Sequence, residues 1–165
     1  MKQYLFAASI TLIPCSVFAD NLERFEALSN QMNALMGEMM AKEVDAAGGD
    51  GDIIRAAVPV DAWNDEAREA ATCILDRYEA EIGQDGIDEM MGRMESVFPA
   101  MSEMTMTEFT DSEALVDMQP EGMTEEMSVQ ITQECGMMKV QMDRMEASGF
   151  SAAMMQAYST INQDN

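Results

Sequence analysis

The stretch ECGMMKVQMDRMEASG, residues 134–149, places one cysteine and four methionines close together in a chain that contains no histidine. Thioether sulfur is a neutral, polarizable ligand that prefers Cu(I) or Ag(I) to harder ions, and three thioethers around one ion suffice. The missing imidazole removes the ligand that often accompanies Cu(II), and with it the base of any histidine-dependent triad. Sulfur in this chain could therefore form a disulfide or a thioether site.

Cys15 lies in MKQYLFAASITLIPCSVFAD (1–20). Here Lys2, an apolar run from Tyr4 to Val17 and a small residue at Ala19 have the form of a secretory signal, residues 1–19, cleaved after Ala19. The run is too short, and too lightly flanked by positive charge, to span a membrane. Pro14 stands before Cys15 where lipoprotein processing needs a small residue. Residues 20–165 are then expected to form one exported domain, periplasmic or extracellular, in which Cys73 and Cys135 pair. On the loop-closure account such a bridge adds about 4 kcal/mol. There is no Cys-x-x-Cys, so a thioredoxin-like role has no support.

The chain has 20 methionines and uses them where leucine would serve. From Asn21 to about Ala47, Leu22, Phe25, Leu28, Met32, Leu35, Met36 and Met39 recur at the spacing of one helical face. Met127, Ile131, Cys135, Met138, Met142 and Met145 do the same along a helix expected from Thr124 to about Ser148. Both stripes mix sulfur with aliphatic side chains, as a core does.

The doublets Met39-Met40, Met90-Met91, Met137-Met138 and Met154-Met155 behave differently. Helix neighbours point about 100° apart, so one of each pair is left near the edge of the core face. Met40, Met91 and Met137 are the expected edge members, and Met101, Met104 and Met106 follow no core-like period. These six are the candidate thioether ligands for Cu(I). MNALMGEMM, MMGRM and MSEMTM have Met-x-x-Met or Met-x-x-x-Met spacing. In composition, over short stretches, they resemble segments of exported copper-handling proteins. The other use of such methionines is an apolar contact surface that re-packs around partners. Sacrificial oxidation to sulfoxide is a third.

These residues must be positioned by helices. GGDGD (48–52) ends the first, and Asn64 with Asp65 and Glu66 starts a second that runs to about Ile82. Its inward stripe is Trp63, Ala67, Ala70, Ala71, Ile74 and Tyr78, with Gly83 past its end and Asp85-Gly86 as a turn. A third, from Ile87 to Phe98, presents Met90, Met94 and Val97 before Pro99. TDSEALVDM (110–118) has the content of two helical turns. Thr124 opens the long helix, Gly149 ends it, and Ser151 caps a last helix with Met154, Met155, Tyr158 and Ile161. Strand signals are nearly absent. The expected fold is all-α, an irregular helical bundle of five or six helices with one inter-helix disulfide.

Acidic residues number 31 against 9 basic ones, a formal net charge of −22. That excludes nucleic acid and anionic membrane surfaces as partners and favours cations or basic proteins. GGDGD is not an EF-hand loop, because the sixth position counted from Asp50 is Arg55 where glycine is needed. It reads as a linker. MEASGFSAAMMQ (145–156) resembles the catalytic motif of the lytic transglycosylases, in which a Glu precedes a Ser. Here Glu146 is followed by Ala147 and the Met-Gln pair comes too early, so the resemblance implies no activity. Carboxylate pairs are unavoidable at this acid content and carry no information.

No phosphate-cradling glycine motif is present. The sequence thus gives no positive evidence for an enzyme or a resident cofactor. It points to an exported, non-catalytic accessory or binding protein of the cell envelope whose partner is a protein or a basic amphipathic helix. The alternative is a periplasmic Cu(I)-binding protein using methionine thioethers.

Overall fold

Helical periodicity in the sequence is realised as seven helices, with no strand among the described residues. The computed structural model describes residues 16–112 and 120–161, with side chains from Asp20 to Ser159. Most of the expected leader and most of TDSEALVDM lie outside the described residues. The helices are α1 (Ser16–Ala46), α2 (Asp52–Ala57), α3 (Asp65–Met101), α4 (Met106–Asp111), α5 (Glu125–Glu134), α6 (Met137–Ala147) and α7 (Phe150–Ile161).

The helix starts follow local chemistry. Asn64 Oδ1 accepts the Ala67 N–H at 2.9 Å, and Thr124 Oγ1 accepts that of Met127 at 3.2 Å. Each satisfies a backbone donor that a first turn leaves unpaired. Thr105 and Glu108 form a reciprocal capping box that starts α4.

Among the described residues the count of seven exceeds five or six for three reasons. Two short helices, α2 (Asp52–Ala57) and α4 (Met106–Asp111), form in stretches where no helix was counted. The long helix expected from Thr124 is split at Gly136, whose φ of 75° is left-handed. Against these, the second and third expected helices join as α3. Gly83, at φ 71° and ψ 174°, makes a kink and not a loop. Pro99 stands in the last turn of α3, where the missing N–H costs one bond, and the helix continues to Met101.

The stripe of α1 packs as its spacing dictates. Leu28 and Met39 are buried, and Leu22, Phe25, Met32, Leu35 and Met36 pack against the same main core. Trp63, just before α3, and Ala67, Ala70, Ala71, Ile74 and Tyr78 on it are all buried. The small alanines let α1 lie close along α3. Phe25 and Trp63 meet edge to face at 5.9 Å. A second, smaller core joins Ala41 and Val44 of α1 to Ile54 of α2 and Ala157 of α7. Cys73 on α3 is bonded to Cys135 at the end of α5, with Cα atoms 5.6 Å apart.

Two polar clusters fix the connections. Arg55 donates to Glu38 at 2.7 and 3.1 Å, to Asp45 at 2.9 Å and to Asp52 at 2.9 Å. Asp45 also accepts the Gly51 N–H at 2.8 Å, so GGDGD is a clamped turn. Glu26, only 8% exposed, accepts the Trp63 N–H at 2.8 Å and Arg68 at 2.6 Å. Asn33 and Asn30 of α1 donate to the carbonyls of Pro59 and Asp61, and Arg144 of α6 donates to that of Asp61. The segment 59–61 is thereby strapped between α1 and α6.

Candidate functional site

Where the two cores meet, α1, the strapped segment, α6 and the start of α7 enclose a cleft of about 230 Å³. Its walls are Val58, Pro59 and Phe150, and its only polar side chains are the amides of Asn33 and Gln141. Three thioethers complete the lining: Met36, Met40 and Met145. Two of them are held by different cores. Met36 packs against the main core and Met40 against the second, so the one helical turn between them spans the seam. Met145 is half-buried and belongs to neither core cluster.

Gly37 sets the depth of the cleft. A Cβ at Gly37 would lie 2.1 Å from Val58 Cγ2, so only glycine lets the 58–59 segment approach α1 this closely. Asn33 Nδ2 then holds the Pro59 carbonyl at 3.3 Å. Gln141 donates to the Met137 sulfur at 3.7 Å, a weak acceptor.

The apolar surface continues outward from the cleft along α6. Met138 is 48% and Met142 64% exposed. At 100° per residue, Met138, Met142 and Met145 lie within about 60° of one another around the helix axis. Met155 and Tyr158 of α7 are also exposed.

This corrects the expected stripe. Met127, Ile131 and Cys135 face the main core as expected, but Met138 and Met142 do not. Gly136 ends α5, and the chain re-enters a helix at Met137 with a new rotational phase. Met137 and Val140 then take the inward positions. Met137, expected at an edge, is 6% exposed, and Met91, likewise expected at an edge, is fully buried. Met155 points to solvent, because Ala153 and Ala157 form the inward side of α7.

The six candidate thioether ligands are therefore dispersed by role. Met91, Met101 and Met137 are core residues, and Met104 and Met106 are half-buried against the main core. Met40 alone among them lines the cleft. Met36 and Met145 were placed in core stripes by spacing. The signal for Met36 was its Met-x-x-x-Met spacing with Met40, and nothing in the sequence linked Met145 to that pair.

A second pocket, of about 340 Å³, exposes the disulfide. Cys73 and Cys135 are bordered there by Glu66, Glu69, Glu134 and Lys139. Lys139 pairs with Asp143 at 2.6 Å and Glu66 at 3.4 Å, and Arg77 with Glu134 at 2.7 Å. Hydrogen bonds from Gln130 and then Arg77 hold the Glu134 carboxyl below the ordinary glutamate range. Among the described residues, no three or more His, Cys, Asp or Glu side chains are grouped to hold a metal ion. No described helix is long and apolar enough to cross a membrane.

Comparison with family models, with curated proteins and with solved structures found no match to this chain.

Proposed function

We propose that the protein is an exported, non-catalytic binding protein. In this reading its contact surface is the methionine-lined cleft and the exposed methionine face of α6. The observation that carries the reading is the lining itself: thioethers, Val58, Pro59 and Phe150, with two uncharged amides. Such a cleft takes an apolar side chain, and flexible thioethers mould to more than one shape. Met138 and Met142 extend that surface beyond the cleft mouth. A formal charge of −22 draws a basic partner toward it. The occupant that fits both properties is a basic amphipathic helix, with one apolar side chain in the cleft and others on α6. The Cys73–Cys135 bridge supports an oxidising compartment.

The test is a titration of the oxidised protein with a fluorescent Lys/Leu amphipathic peptide, beside a scrambled peptide of equal charge. The amphipathic peptide is expected to bind more tightly, and Met142→Glu and Met145→Glu are expected to weaken it. Equal binding of both peptides, or variants that bind like the parent, would reduce the interaction to bulk charge and overturn the reading.

A further inference from the structure

We propose that the cleft is also a soft-metal site, in which the thioethers of Met36, Met40 and Met145 bind one Cu(I) or Ag(I) ion. The inference does not depend on a protein partner, since a metal ion and a peptide side chain would compete for the same space.

The fold brings together the one ligand type and number that the chemistry asks for. Monovalent copper and silver accept three thioethers, and neutral sulfur ligands discriminate against harder ions. Met36 and Met40 stand one turn apart on α1, and Met145 faces them from α6 across about 230 Å³. Unbranched methionine side chains have the rotamer freedom to re-aim their sulfurs within such a space. The walls Val58, Pro59 and Phe150 make the lining mostly apolar, so few protein groups compete with the weak neutral donors. No carboxylate lines the cleft, so a hard cation finds only the neutral amide oxygens of Asn33 and Gln141 there. The overall charge of −22 offsets the unit charge that three neutral ligands leave on the ion.

Met145 supplies the second, independent observation. It is half-buried, packs in neither core cluster, and still lines the cleft. Its thioether is the one of the three that core packing does not account for. Met101, Met104 and Met106, the group that spacing suggested, are each built into or against the main core.

The experiment is an anaerobic Cu(I) titration of the full oxidised protein against a chromophoric chelator, repeated with Ag(I), after a thiol assay has shown the bridge intact. One equivalent is expected to withstand the chelator, with the methyl resonances of Met36, Met40 and Met145 shifting in NMR spectra. Met-to-Leu changes conserve volume and leave the fold in place. Met36→Leu, Met40→Leu and Met145→Leu are each expected to weaken binding by at least the roughly tenfold that loss of a mere outer-shell support costs. The triple variant should bind none, while Met101→Leu and a Met104→Leu/Met106→Leu double variant should bind as the parent does. A chelator that keeps all the metal overturns the proposal. So does undiminished binding in the triple cleft variant, or loss of binding in the Met104/Met106 double variant.

Discussion

Met137 and Met138 are adjacent in sequence and lie on opposite sides of the core boundary, at 6% and 48% exposure. The left-handed Gly136 sets this division by starting α6 in a phase that α5 does not share. Met137→Ala is expected to cost about 2–5 kcal/mol, the range for deleting a buried methionine. Met138→Ala should stay within about 0.5 kcal/mol. Urea unfolding of the two variants checks this, and equal costs would mean that one helix runs through residues 124–148.

What was legible in the sequence follows from that example. The stripes of α1 and the first half of α3 were readable because each belongs to one uninterrupted helix with a strong period. Asn64 and Thr124 were readable as starts because capping is a local interaction. Gly136 was not, because a glycine within a periodic run is compatible both with a continuous helix and with a left-handed break. Gly83 posed the converse problem: it suggested an end and produced a kink. The cleft was harder still. Its thioethers come from stripes on two distant helices, and a projection of either helix alone assigns Met36 and Met145 to a core. Only the strapping of 59–61 by Asn30, Asn33 and Arg144 shows that a cleft separates them.

Gly37 offers a way to alter that cleft from behind. An added Cβ would meet Val58 Cγ2 at 2.1 Å, and a β-branched side chain has little rotamer freedom with which to yield. Gly37→Ala should therefore destabilise by about 1–3 kcal/mol, the usual cost of overpacking, and shift Val58 into the cleft. Gly92 of α3 is the control, since a Cβ there meets nothing within 4 Å and its backbone is helical. Gly92→Ala should gain about 0.5–1 kcal/mol from the unfolded state. Thermal unfolding separates the two, and a neutral Gly37→Ala would contradict the close packing of Val58.

The acidic border of the disulfide predicts how it is reduced. A thiolate attacking Cys73 or Cys135 must pass Glu66, Glu69 and Glu134, against which Lys139 is the one cation lining the pocket. At low salt a thiol carrying a sulfonate should react several-fold more slowly than cysteamine after correction for thiolate fraction, and added salt should narrow the gap. Stopped-flow reduction followed by thiol release measures both rates. Identical salt responses would show that the carboxylates do not control access. Once reduced, or as the Cys73→Ser/Cys135→Ser variant, the protein should lose about 4 kcal/mol of stability.

The Arg55 clamp makes a signed prediction about pH. Its hydrogen bond holds the Glu38 carboxyl below the ordinary glutamate range. The Gly51 N–H and then Arg55 do the same for Asp45, while the guanidinium is itself raised. Carboxyls depressed in the folded state stabilise it fully above their unfolded values, about 4.3 for Glu and 3.9 for Asp. That contribution is lost as pH falls through the lower folded values, because the unfolded chain then binds protons first. Lys42 adds a smaller attraction on Glu38 in the same direction.

Arg55→Met removes the attraction and leaves Glu38, Asp45 and Asp52 facing one another. The stability difference between parent and variant should thus be largest near pH 7 and shrink steadily below about pH 4, as the carboxyls of both proteins become neutral. Urea midpoints at pH 7 and pH 3 in moderate salt, where the repulsion of the remaining acidic residues is screened alike in both proteins, isolate the clamp. A difference that stays constant across that range would mean that Arg55 acts through the packing of its aliphatic stem and not through its three carboxylate partners.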